Sequence, residues 1–124
     1  MGIRQIKREE IKIEEVKNII HGLYLILNKP QYKFGIAGSF ARGEQKSRSD
    51  VDIVISGVEQ LSLEEYIEIT NYLDNRLSRK YDILVLDGMM KDDEMYDSIL
   101  EDIGLPENED SAYKNVKREV KWIE

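Results

Sequence analysis

Gly38-Ser39-Phe40-Ala41-Arg42-Gly43-Glu44 and, after a short polar interval, Ser49-Asp50-Val51-Asp52-Ile53-Val54-Ile55 carry most of the architectural information in this chain. The first segment follows a short apolar run at residues 32–37, which predicts a strand, and reads as a strand-to-helix turn with a short helix starting at Ser39 or Phe40. The second predicts a strand over residues 51–55, closed by Ser56-Gly57. A strand sends alternate side chains to opposite faces, so Asp50 and Asp52 project together while Val51, Ile53 and Ile55 turn to the core. Two ionised carboxylates about 4 Å apart repel by roughly 4 kcal/mol in an effective dielectric of about 20. The pair therefore asks for a cation.

On the N-terminal side, Ile13, Val16, Ile20, Leu23 and Leu27 recur at helical spacing, which predicts one amphipathic helix over about residues 9–27, stopped near Asn28 and Pro30. On the C-terminal side, Ser62-Leu63-Glu64-Glu65 is a capping-box pattern. Leu63, Tyr66, Ile67, Thr70, Leu73 and Leu77 then predict the apolar stripe of a helix reaching about residue 79. Residues 81–86 predict a third strand, buried on both faces apart from Asp82, with Asp87 and Gly88 in the turn beyond it. Met95, Ile99, Leu100 and Ile103 predict another helix, ended by Gly104-Leu105-Pro106. In the tail, Tyr113, Val116 and Val120 have helical spacing whereas Val120 and Trp122 alternate as in an edge strand, and both states stay open. This order predicts an α/β fold, a sheet of three or more strands covered by helices. The sheet is expected to be mixed, because only a short helix joins the first two strands.

With 124 residues the chain has the length of one domain, its core expected at about residues 10–103 and residues 104–124 forming a C-terminal tail. It has no cysteine, which excludes disulfides and thiolate metal sites. No apolar run approaches the roughly 20 residues of a bilayer-spanning helix, so a soluble, cytoplasmic protein is expected. The net charge of −7 is uneven: ten acids (Asp87, Asp92, Asp93, Glu94, Asp97, Glu101, Asp102, Glu107, Glu109, Asp110) face Lys91 alone between residues 87 and 111, leaving +2 elsewhere. Such a surface repels phosphate backbones, which argues against general nucleic-acid binding and suits a basic protein partner. The plain alternative is a solvated face that confers solubility.

Gly38 and Ser39 at a strand end offer N–H groups and a hydroxyl to a phosphate, and Gly38 lets a ligand approach the backbone. Arg42, one helical turn beyond Ser39, is placed to reach the same anion. Otherwise the segment is an ordinary glycine turn with Ser39 as a helix cap and Arg42 in water. Asp50 and Asp52 are hard-oxygen donors, and magnesium takes one or two carboxylates together with waters and phosphate oxygens; otherwise Asp50 ends a capping or Asx turn and Asp52 is a surface residue on a half-exposed strand. Asp82 lies near the start of an apolar strand, where a charge is costly unless paired or metal-bound. It becomes a third carboxylate if its strand neighbours that of Asp52, and otherwise a strand-entry residue paired with Lys80. His21, the only histidine, reads as a packing or surface residue, and the scattered tyrosines as core and interface residues.

Gly38-Ser39, then Asp50-x-Asp52, then Asp82 in a hydrophobic strand resembles the minimal nucleotidyltransferases of the DNA polymerase beta superfamily, over roughly residues 10–103. The resemblance implies a polymerase beta-like fold and magnesium-dependent transfer of a nucleoside monophosphate from a nucleoside triphosphate to an acceptor hydroxyl. It would give Gly38, Ser39 and Arg42 to the triphosphate, and Asp50, Asp52 and Asp82 to two magnesium ions. Asp82 would also help deprotonate the acceptor. Nothing after Pro106 matches the pattern. Many small proteins resembling this family are antitoxins of HEPN-domain toxins, in characterised cases adding AMP to a toxin tyrosine. The resemblance therefore implies ATP as substrate and a HEPN-type toxin as partner, with self-assembly a further option. The alternatives are a transferase acting on a small molecule or a nucleic-acid end, and a non-catalytic antitoxin that works by binding.

Overall fold

A computed structural model describes residues 13–46 and 49–124. Where one N-terminal helix was expected there are two, α1 (Ile13–His21) and α2 (Leu23–Leu27), and residues 9–12 of that expectation lie outside the described residues. The break falls at Gly22, against which the Tyr72 hydroxyl is seated while donating to the Ile19 carbonyl at 2.6 Å. The same carbonyl accepts from the Gly22 N–H at 3.1 Å, so the Tyr72 hydroxyl is its second donor at the break. Asn28, left-handed at φ 49°, closes α2 where Asn28 and Pro30 predict a stop.

The sheet contains β1 (Lys33–Ala37), β2 (Val51–Ser56), β3 (Tyr81–Val85) and β4 (Lys121–Ile123) in the order β3-β2-β1-β4. It is mixed: β1 is antiparallel to β2 and β4, and β2 is parallel to β3. The connecting helices are α3 (Gly38–Arg42), α4 (Leu63–Arg76), α5 (Leu86–Asp102) and α6 (Ala112–Glu119). On one face Phe34, Ile36, Val51, Ile53 and Ile55 pack against Val16, Ile20 and Leu23 from α1 and α2 and Ile69 and Leu73 from α4. On the other, Ala37, Val54 and Leu84 meet Leu86 of α5, Tyr113 and Val116 of α6, and Trp122. Among the described residues no helix is long and apolar enough to cross a membrane.

Three local expectations are corrected. The stripe that α4 buries is Glu65, Ile69 and Leu73, while Leu63, Tyr66 and Ile67 are exposed. The cause is a polar anchor. Glu65 accepts from the Tyr32 hydroxyl at 2.5 Å, the Lys29 ammonium at 2.8 Å and, within the predicted capping box, the Ser62 N–H at 3.0 Å. Second, β3 is an edge strand and therefore only half-buried; it ends at Val85, and Asp87 sits in the first turn of α5 accepting from the Gly57 N–H at 3.0 Å. Third, the tail realises both of its patterns in succession, α6 and then β4, so it completes the sheet. The Tyr24 hydroxyl fastens β4 by donating to the Ile123 carbonyl at 2.6 Å.

The Glu65 anchor predicts a pH dependence. Lys29, then Tyr32 and Ser62, hold its carboxyl down from 4.5 to about 2. A carboxyl depressed by folding stabilises above its unfolded value and loses that stabilisation as pH falls through its folded one. Glu65→Gln is thus expected to cost about 2 kcal/mol at neutral pH. It should also flatten the loss of denaturant resistance between about pH 4.5 and about 2. A denaturation series with an unchanged acid limb would remove the anchor from the account.

Candidate active site

Three strands bring the sequence-marked residues to one end of the sheet. Ala37, the last residue of β1, lies opposite Asp52 in β2, and Asp52 is in register with Asp82 in β3. In-register neighbours point to the same face, so Asp52 and Asp82 sit side by side, and Asp50, one residue before β2, is near enough for its charge to act on Asp52. Asp50 and Asp82 are exposed and Asp52 is half-buried. Burial first, then the charges of Asp82, Asp50 and Glu119, push the Asp52 carboxyl above its ordinary value, with Arg42 acting weakly in the opposite direction. Asp52 thus carries a charge that its surroundings do not compensate.

Gly38 begins α3 at φ +70°, and its bare Cα faces Asp52: a methyl group there would overlap Oδ2 of the carboxylate. Ala37, not Ser39, holds the helix-cap position, which leaves Ser39 half-buried in the first turn. The Arg42 guanidinium is already engaged. Its Nε donates to Glu44 Oε1 at 2.7 Å and its Nη1 to Glu119 Oε1 at 3.0 Å, which raises its pKa, the bond to Glu44 contributing most.

A glycine turn packed on one of several clustered acids, all at one sheet end, meets a family model described as "Nucleotidyltransferase domain", which matches residues 13–115. The chain belongs to that family. It is similar to Methanocaldococcus jannaschii proteins named "Putative protein adenylyltransferase MJ1217", 43% identical over 58% of this chain and 76% of that protein, and "Putative protein adenylyltransferase MJ0128", 37% identical over 73% of this chain and 94% of that one. "Protein adenylyltransferase MntA" of Thermococcus cleftensis is 34% identical over 60% of this chain and 78% of its own. The chain is a nucleotidyltransferase, an enzyme by family.

Two residues beside the candidate site escaped the sequence. Glu119, at the end of α6, approaches Arg42 and the acids only because β4 folds the tail back onto β1. Arg79 lies over the Phe40 ring, 5.4 Å from its centre, and donates to the Ser49 carbonyl at 3.1 Å, bracing the chain that leads into Asp50. Beside it, Ser49, Asp50, Arg79 and Lys80 line a cavity of about 380 Å³. Arg79 had no local signal, since it meets Phe40 and Ser49 only across the fold. Glu119 had none.

Among the described residues no three acidic or imidazole side chains are drawn in to metal-ligand spacing, so Asp50, Asp52 and Asp82 do not make a closed three-carboxylate cage. The neighbouring carboxylates of Asp52 and Asp82 fit magnesium, which accepts few protein carboxylates and fills its shell with waters and phosphate oxygens. The uncompensated charge around Asp52 fits it as well.

Proposed function

We propose that this nucleotidyltransferase moves AMP from ATP to a hydroxyl of a protein partner, a HEPN-type toxin, and acts as its antitoxin. The observation that carries the reading is the register of Asp52 with Asp82 beside the Gly38 turn. The names of three relatives as protein adenylyltransferases support the protein acceptor. Gly38 and Ser39 receive the triphosphate, whose oxygens take backbone N–H groups and the serine hydroxyl. Arg42 reaches a phosphate by exchanging Glu44 or Glu119 for it. Asp50, Asp52 and Asp82 would hold magnesium, and a bound ion would supply positive charge to offset that of the phosphate oxygens during transfer.

The acceptor oxygen forms a bond to the α-phosphorus as the bond to the β-phosphate oxygen breaks, and pyrophosphate departs. Asp82, exposed at the strand edge, takes the acceptor proton and passes it to water. Because the protein contributes mainly positioning and charge, loss of a single acid removes most of the rate.

The test is incubation with magnesium, ATP labelled in its α-phosphate and a HEPN-domain protein as acceptor. Label is expected on that protein, and none in Asp50→Asn or Asp52→Asn. Protection from the toxin that survives both substitutions would leave a binding antitoxin, and label on a small molecule or a nucleic-acid end would replace the acceptor.

A further inference from the structure

We propose that the outward face of α5 is a docking surface for a protein partner whose own face carries apolar side chains edged by lysine and arginine. Naming that partner as the AMP acceptor rests on the reading above; the docking does not. Inward, α5 is settled: Asp93 and Asp97 turn to Lys114 of α6 at 3.7 and 2.9 Å, and Leu86 is buried. Outward, Met95, Ile99 and Ile103 follow one another at four-residue steps and are 60, 53 and 64% exposed, with Tyr96 beside them. Successive four-residue steps form a ridge along one side of a helix. Apolar surface of this extent on the water side marks an interaction site.

Charge selects the occupant. Asp92 and Asp102 are exposed along this face and, among the described residues, neither pairs with a cation. Asp92 lies within the angular span of the ridge and Asp102 at its edge, so carboxylates border the apolar side chains directly. Carboxylates over an apolar wall match the charged head and aliphatic stem of lysine or arginine. A second copy seated here would set acids against acids, since Lys91, the one cation between residues 87 and 111, is engaged by Glu59. Nucleic acid is repelled by the same charge.

The probe is a synthetic helical peptide with leucine at three- and four-residue spacing and lysine between, titrated into the isotope-labelled full chain, beside a scrambled peptide of equal composition. Amide shifts are expected only around residues 92–105. Affinity should fall with salt, and at least about tenfold for the scrambled peptide and for Ile99→Asp with Ile103→Asp. Both isoleucines are exposed, so that variant should keep the wild-type melting temperature and circular dichroism. Equal binding of the scrambled peptide, shifts centred on Leu25, Leu63 and Ile67, or no measurable binding would each overturn the proposal. So would self-association that the double substitution abolishes. Asp52→Asn should bind the peptide as the wild type does. Docking without transfer therefore defeats the function alone, and transfer without docking defeats this surface alone.

Discussion

Asparagine at position 52 is expected to lower AMP transfer by at least about a thousandfold while leaving the fold as stable as before, or more stable. The two effects share one cause. Asp52 stands in register with Asp82, near Asp50, and within the field of Glu119, and burial adds to the cost of its charge. Asparagine keeps the shape that fits against Gly38 and removes the charge, so the repulsion disappears, a gain on the order of 1 kcal/mol. The loss of rate follows because that same charge is what would retain a divalent ion. A third measurement links them: magnesium should raise the melting temperature of the wild type through binding to the folded state, and much less that of the variant. Transfer within tenfold of wild type would remove Asp52 from the chemistry. A clear drop in stability would mean that the acids do not repel.

The portion of this site legible in the sequence was the portion written locally. Alternation in a strand turns Asp52 away from Val51 and Ile53 whatever surrounds them, and a glycine after an apolar run announces a turn. Asp82 was legible because a charge in an apolar strand needs a reason, although its register with Asp52 is a property of the folded sheet. What stayed hidden depends on contacts between distant parts of the chain. Arg42 finds Glu119 across 77 residues, and the helix break at Gly22 is completed by Tyr72 from α4. The stripe of α4 was misread for a related reason. Periodicity counts Glu65 as a solvent residue, yet Tyr32 and Lys29 satisfy it and draw that side of the helix inward, turning Leu63 and Ile67 to water. Met95, Ile99 and Ile103 show the same limit from the other side: helical spacing locates an apolar ridge without saying whether this chain or another covers it.

Alanine at Gly38 should reduce transfer by about a hundredfold and destabilise the chain by about 2 kcal/mol. Two penalties combine there. The left-handed backbone at φ +70° disfavours a side chain by roughly 1–2 kcal/mol. The new methyl group would also meet Asp52 Oδ2, so the carboxylate must rotate away from Asp50 and Asp82 or the turn must open. Gly43 separates the penalties: its φ of +71° is nearly the same, but the space around its Cβ position is empty. Gly43→Ala should therefore lose similar backbone stability, about 1 kcal/mol, and keep transfer within a few-fold of wild type. The difference in rate between the two variants, taken at matched folded fraction, isolates the contact between the turn and Asp52. Equal rates would mean that the acid works without the close approach of Gly38, and the triphosphate would then have to be sought elsewhere on the sheet.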